Sequence, residues 1–271
     1  MRNEIKNFKR IEMKYILTLK QKEDLLKKFT KELIPDTNWN SSGNYKLESL
    51  YYDTDDLKFY WEKADGIRYR KKLRIRRYVD QNWNFDENSK VFIEIKEKVD
   101  EITEKRRVKL TYKEAKNLVE KWIIPGHKEQ DKAVIDEIYI LAKQNSLKPK
   151  AITSYDRQAF FGTDSETWLR ITFDTEVFYK RNDLLLNNKK KKDWNIVEQN
   201  FTIMEVKANS EIPEFILKFL EENNITPTRF SKYCQAIESS EKDLKIPLTQ
   251  LDYYNFFEKK ENLKTKFALT N

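Results

Sequence analysis

Alternation with a period of two runs through most of this chain. From Arg10 to Leu17, Arg10, Glu12 and Lys14 fall on one side, and Ile11, Met13, Tyr15 and Leu17 on the other. That is the pattern of a strand with one buried face. Similar segments recur at 46–54, 68–78, 91–98, 103–110, 152–161, 168–178 and 201–207. The count is about eight amphipathic strands, each with a mostly apolar face and a face of Lys, Arg, Glu and Tyr. In the third, Arg68, Arg70, Lys72, Arg74 and Arg76 share one face. Folding alone does not ask for five cations in a row. They form either a solvated face with acidic neighbours or a surface for a polyanion.

Helical signals sit between the strands. Thr18 with Gln21 and Thr111 with Glu114 read as capping boxes. The first opens a helix carrying Leu25, Leu26, Phe29 and Leu33, which Pro35 ends; the second opens a helix to about Ile123, before Pro125-Gly126. Thr54 caps a short helix with Leu57, Tyr60 and Trp61. Further helices are predicted over Lys132–Gln144, from Pro213 as the first helical residue through Leu220, and over Arg229–Ser239. The four-lysine segment Asn187–Asp193 reads as a solvated hairpin or loop. Eight such strands can close into a barrel with side chains or a ligand inside, although an open sheet covered on one side gives the same periodicity. The expected class is α+β: an antiparallel, tunnel-like, eight-stranded β-barrel with surrounding helices over residues 1–242, then a helical or loose tail over 243–271.

Composition narrows the chemistry. Among 271 residues, Lys plus Arg number 53 and Asp plus Glu 45, a net +8 that favours an anionic partner. With Cys234 and His127 alone of their types, an internal disulfide is impossible and a Cys/His metal or catalytic pair has almost no material. Cys234 reads as core and His127 as a loop residue. With four glycines, there is no Gly-rich phosphate loop, so side chains must bind any phosphate. No apolar run approaches a membrane span of roughly 20 residues, and no secretory apolar segment follows Met1; a cytoplasmic location is expected. Double-stranded nucleic acid is a poor partner, since no helix carries a basic face.

A set of short motifs then occurs in a recognisable order: Glu12-x-Lys14-Tyr15, Tyr51-Tyr52-Asp53-Thr54, Arg74-x-Arg76, Glu94-Ile95-Lys96, Lys105-Arg106-Arg107, Tyr155-x-Arg157, Arg170-x-Thr172-x-Asp174, Glu205-Val206-Lys207 and Ser231-Lys232-Tyr233. Over about residues 9–238 the chain resembles the catalytic domain of the vacuolar transporter chaperone (VTC) polyphosphate polymerases, in the wider CYTH or triphosphate-tunnel group. The resemblance implies transfer of the ATP γ-phosphoryl group to a growing polyphosphate chain, with Mn²⁺ or Mg²⁺ as cofactor. It implies that Lys14, Arg74, Arg76, Lys96, Arg157, Arg170 and Lys232 bind phosphates, that Tyr155 and Ser231 hydrogen-bond phosphate oxygens, and that Glu205 holds the metal. Arg10, Arg107 and Lys207 are candidate wall residues. Glu12 is a second metal ligand or an ion-pair partner of a nearby cation.

The inventory suits this chemistry. A terminal phosphate oxygen is already ionised, so catalysis needs positioning and charge neutralisation rather than a general base. Lys232 at a helix start opposes the helix dipole, a cost that points to function. Tyr51 and Tyr52 read as packing residues, and Arg107 and Lys109 as either surface pairs or wall. Hydrolytic relatives carry Glu-x-Glu-x-Lys where this chain has Arg10, Glu12 and Lys14, which favours a polymerase. The alternatives are an inorganic or nucleoside triphosphatase and a non-catalytic polyphosphate-binding module. Membrane segments and an inositol-phosphate sensor domain, found in the eukaryotic complexes, are missing from this sequence, so export through a membrane and its regulation either are not implied or belong to partner proteins.

Overall fold

The protein is described by a computed structural model covering residues 10–37, 42–79, 84–100, 102–163, 168–186, 194–209 and 211–239. The lysine run at 187–193 and the tail expected over 243–271 lie outside the described residues. The element order is β1 (Arg10–Thr18), α1 (Leu19–Lys28), β2 (Leu33–Pro35), β3 (Asn44–Asp53), α2 (Lys58–Ala64), β4 (Tyr69–Val79), β5 (Lys90–Val99), β6 (Ile102–Thr111), α3 (Tyr112–Glu120), α4 (Glu129–Gln144), β7 (Lys148–Gly162), β8 (Arg170–Lys180), β9 (Trp194–Asn195), β10 (Phe201–Asn209), α5 (Glu214–Glu222) and α6 (Lys232–Glu238). Both capping boxes form, with Thr18 and Thr111 each accepting from the backbone three residues on.

The fold is α+β, with eight antiparallel strands in the order β1-β10-β8-β7-β3-β4-β5-β6; β2 is added beside β7 and β9 beside β8. The expected closed barrel does not form, because β1 and β6 end the order and do not pair. The edge of β1 is engaged by the segment after α5 instead. Thr228 donates its backbone N–H to the Lys14 carbonyl at 2.8 Å, and the Lys14 ammonium donates to the Phe230 carbonyl at 2.9 Å. The sheet nevertheless curls, since Lys96 on β5 reaches Glu12 on β1 at 3.1 Å. It is a trough with an open seam.

Three apolar clusters set which face is which. Leu73 and Ile75 of β4 and Val91, Ile93 and Ile95 of β5 pack outward under α3 and α4. Tyr15 and Leu17 of β1 and Met204 and Val206 of β10 pack outward under α1 and α5. The third cluster lies inside one end of the trough, where α2 and α6 bring Leu57, Tyr60, Tyr233 and Ile237 against Leu47, Val177 and Ile203. The alternation of β8 changes phase to allow this. Register shifts opposite Ser154 and Asp156, Glu176 takes φ 49°, and Val177 and Tyr179 turn inward beyond Asp174.

Some boundaries differ from expectation. The first helix stops at Lys28, and Leu33–Pro35 pairs as β2 with β7; a proline is tolerated in so short an added strand. Pro213 is the residue before α5 rather than its first. The helix expected from Arg229 begins at Lys232, behind the cap Ser231.

Asp53 ties α2 and α6 to the sheet. Its carboxylate accepts from the backbone N–H of Thr54, Phe59 and Tyr60 at 2.8, 2.9 and 3.0 Å and from the Tyr233 hydroxyl at 2.6 Å. Asp53→Ala strands these buried donors and is expected to cost about 3 kcal/mol in urea denaturation; a loss below about 1 kcal/mol contradicts this anchoring role.

Candidate active site

The concave face beyond the apolar plug is lined by charge because of strand alternation. From β1 come Glu12 and Lys14, from β4 Lys72, Arg74 and Arg76, from β5 Glu94 and Lys96, and from β6 Lys105 and Arg107. Tyr155 and Arg157 come from β7, Arg170 and Asp174 from β8, Glu205 and Lys207 from β10. Ser231 and Lys232 reach the same space from the start of α6. The structure thus brings together the expected residues Lys14, Arg74, Arg76, Lys96, Tyr155, Arg157, Arg170, Ser231, Lys232, Arg107, Lys207, Glu205 and Glu12. Arg10 pairs with Asn209 in register, but its side chain lies outside the described residues.

Two buried carboxylates organise the cations. Asp174, 1% exposed, accepts from Arg157 Nε and Nη2 at 2.6 and 2.7 Å and from Lys232 Nζ at 2.5 Å. Burial opposes its ionisation, but Arg157 and Lys232 prevail and hold its carboxyl at about 2. Glu94 accepts from Arg74 Nε and Nη2 at 2.9 and 2.7 Å. Burial opposes its ionisation too, and Arg74, Arg76 and Lys105 hold it at about 2. The dipole cost of Lys232 at its helix start is thereby offset by a direct ion pair.

Hydroxyls, aromatic rings and one further carboxylate link the walls. Arg76 donates to Ser49 Oγ at 3.1 Å and to the Tyr155 hydroxyl at 3.0 Å. Lys72 donates to Ser231 Oγ at 2.8 Å. Lys232 lies 4.4 Å from the centre of the Tyr155 ring, within cation–π range. Arg170 donates to Asp36 at 2.8 Å and to the Tyr45 hydroxyl at 3.2 Å. Tyr52 packs outward, as expected of a core residue. Tyr51 does not merely pack: it stacks on Tyr233 with centroids 5.1 Å apart and accepts from Arg74 at 3.1 Å. Burial opposes its ionisation, yet Arg74, Arg76 and Lys72 bring the phenol down to about 7.

A second carboxylate group lies across the seam. Glu12 meets Lys96 at 3.1 Å and Lys207 at 3.9 Å; Glu205 meets Lys207 at 3.5 Å. Burial works against a charged Glu205, but Lys207, Lys14 and a hydrogen bond with Glu12 hold it well below the usual carboxylate range. Among the described residues no group of three or more His, Cys, Asp or Glu is placed to hold a metal. The Glu12–Glu205 pair suits a hard divalent cation whose other ligands are substrate oxygens. The ammonium groups of Lys96 and Lys105 are pushed down to about 8, by burial foremost.

Sequence reasoning put Lys72 on the cationic face and Glu94, Lys105 and Asp174 within the ordered motifs, but gave none of them, nor Asp36, an individual role in the site. The first four share a strand face with residues it did assign, so period two was the available signal. Asp36 lies just beyond β2 and carries no such pattern.

The model of the VTC domain matches residues 9–241. The chain belongs to the VTC domain family. No curated protein matches it. Among solved structures, a Bacillus halodurans protein described as an adenylate cyclase is similar at 14% identity and a TM-score of 0.44, covering 82% of this chain and 93% of its own. The PH1819 protein of Pyrococcus horikoshii is similar at 14% identity and a TM-score of 0.42, covering 85% and 100%. Within this VTC domain, no helix among the described residues is long and apolar enough to cross a membrane.

Because the folded-state pKa values of Asp174 and Glu94 are depressed, the stability they contribute is present above the ordinary carboxylate range, near 4, and is lost as pH falls towards about 2. The stability advantage of the wild type over Asp174→Asn in urea is expected to shrink as pH drops through that window. An advantage constant from pH 7 to pH 2 contradicts the assignment.

Proposed function

We propose that this VTC domain is a metal-dependent polyphosphate polymerase, transferring the γ-phosphoryl group of ATP to inorganic polyphosphate. The observation that carries the reading is the convergence of Arg74, Arg76, Lys96, Arg157 and Lys232 on one concave face, each already held by a carboxylate or a hydroxyl. Preorganised cations stabilise charge that develops on a phosphoryl group without reorganising at the moment of reaction.

In the reaction a terminal oxygen of the polyphosphate chain forms a bond to the γ-phosphorus while the bond from that phosphorus to the oxygen bridging the β-phosphate breaks. The bridging oxygen leaves with ADP. No proton is removed from the nucleophile, which agrees with a wall poor in neutral bases. Lys14, Arg74, Arg76, Lys96, Arg157, Arg170 and Lys232 bind and align the phosphates, and Tyr155 and Ser231 donate to phosphate oxygens. Arg107 and Lys207 extend the wall. Glu205 with Glu12 would hold Mn²⁺ or Mg²⁺, which when bound neutralises charge on the transferred group.

A triphosphatase is the second reading. It is favoured by the closeness of Glu12 to Glu205, since two carboxylates can position both a cation and an attacking water.

Purified protein with ATP and Mn²⁺ is expected to yield ADP and long polyphosphate on a gel. Orthophosphate as the sole phosphorus product alongside ADP supports hydrolysis instead, and tripolyphosphate binding without turnover under any divalent metal supports a binding module. Glu205→Ala is expected to lower turnover on the order of 100-fold while retaining tripolyphosphate binding; unchanged turnover removes Glu205 from the reaction.

A further inference from the structure

Glu94 stands at the centre of four cations, and holding a phosphate chain does not by itself require a carboxylate there. It is 1% exposed. Its strand, β5, lies between β4 and β6, with Arg74 and Arg107 its register neighbours. One oxygen, Oε2, accepts both hydrogen bonds from Arg74 and lies 3.9 Å from Arg76. The other, Oε1, is buried, accepts no hydrogen bond, and lies 3.7 Å from Lys105 Nζ and 3.8 Å from Arg107 Nη1.

The arrangement is graded. The side chains of Arg74 and Arg76 are 15% and 9% exposed, those of Lys105 and Arg107 45% and 43%. Arg74 and Arg76 are fixed by hydrogen bonds to Glu94, Tyr51, Ser49 and Tyr155. Lys105 and Arg107 make no side-chain hydrogen bonds among the described residues; Arg107 rests on the Phe92 ring, 4.5 Å from its centre. A buried carboxylate oxygen left without a donor is costly. Stability alone would favour closing Oε1 with a hydrogen bond. Here the attraction to Lys105 and Arg107 is kept at a distance that leaves their N–H donors for something else.

We propose that Glu94 is a positioning residue, whose buried carboxylate gathers Arg74, Arg76, Lys105 and Arg107 into one preorganised receptor for a phosphoryl group, with Lys105 and Arg107 as its outer donors. This rests on the reading that the trough takes a phosphate chain. Arg74 and Arg76 form the fixed floor of the receptor. Glu94 lessens the mutual repulsion of the four cations and favours the charged form of Lys105, against its partial burial and the nearby Arg107, Arg74 and Arg76.

The test is tripolyphosphate binding by calorimetry from pH 6 to 9.5, in wild type, Glu94→Gln, Glu94→Asp and Lys105→Arg, with folding followed by thermal melting. Charged groups facing Glu94 are Arg74 and Arg76 from β4 and Lys105 and Arg107 from β6. Tyr51 on β3 and Lys96, further along β5, also titrate in this range, so the part of the pH dependence removed by Lys105→Arg identifies the Lys105 limb. In wild type this limb is expected near pH 8. In Glu94→Gln it is expected to move down by about one unit, a tenfold change in the ammonium's proton affinity, with Glu94→Asp in between. In the Lys105→Arg background the Glu94→Gln shift should vanish. Merely structural damage would lower the melting temperature without moving a limb that depends on Lys105.

An unmoved limb in a folded Glu94→Gln protein overturns the proposal. If Glu94→Gln fails to fold, Lys105→Arg decides alone: loss of the limb supports Lys105 as an outer donor, and an unchanged profile overturns it. Failure of the wild type to bind tripolyphosphate overturns the phosphate-chain reading together with this one. Tight binding with an unmoved limb sinks only the role of Glu94.

Discussion

Burying cations on the inside of a curved sheet is tolerable only where carboxylates are buried with them. Asp174 and Glu94 meet that constraint, each 1% exposed and each ion-paired from more than one cation. Without Asp174, Arg157 and Lys232 would face each other, and without Glu94 so would Arg74 and Arg76, in a space where repulsion is poorly screened. Such pairs add little net stability over a well-packed apolar core, but losing one partner costs about 3–5 kcal/mol. Their contribution is therefore geometric. They fix where the cations point before a ligand arrives, and a polyanion that enters finds its counter-charges already aligned.

The rest of the architecture serves that lining. Outward faces of the strands pack under α1 and α5 on one side and α3 and α4 on the other, which leaves the inward faces free to be polar. The plug built on α2 and α6 fills one end of the interior and delivers Ser231 and Lys232 to the charged section. Asp53 holds both helices of that plug to β3, linking a stability anchor to the position of two candidate phosphate ligands. The seam between β1 and β6 is bridged from β1 to β5 by Lys96 and Glu12 rather than by backbone hydrogen bonds.

Much of this was legible in the chain. Period two located all eight principal strands and grouped the residues that share a charged face on most of them, as far as Asp174 on β8, but left open which face is inward and did not divide the faces of β3; the capping boxes at Thr18 and Thr111 marked two helix starts. The parts that were not legible have physical causes. Closure of a sheet depends on whether two distant edges pair, and periodicity along a strand carries no information about its edges. The inward turn of Val177 comes from a backbone phase change at Glu176, which no side-chain pattern announces. Glu94 and Asp174 are single acids among many, and their importance arises from the number of cations that tertiary packing brings to them. Tyr51 resembles its neighbour Tyr52 in sequence, yet the two point to opposite sides of β3, one at Arg74 and the other at the outer core.

The claim that this concave lining receives a phosphate chain is tested most directly by an experimental structure with tripolyphosphate bound. The account predicts the ligand inside the trough, its oxygens within hydrogen-bond distance of side chains from both walls, including Arg74 or Arg76 of β4 and Arg157 of β7 or Lys232 of α6. A ligand found only on the outer surface, with the Asp174 and Glu94 ion pairs intact around an interior it has not entered, would contradict it.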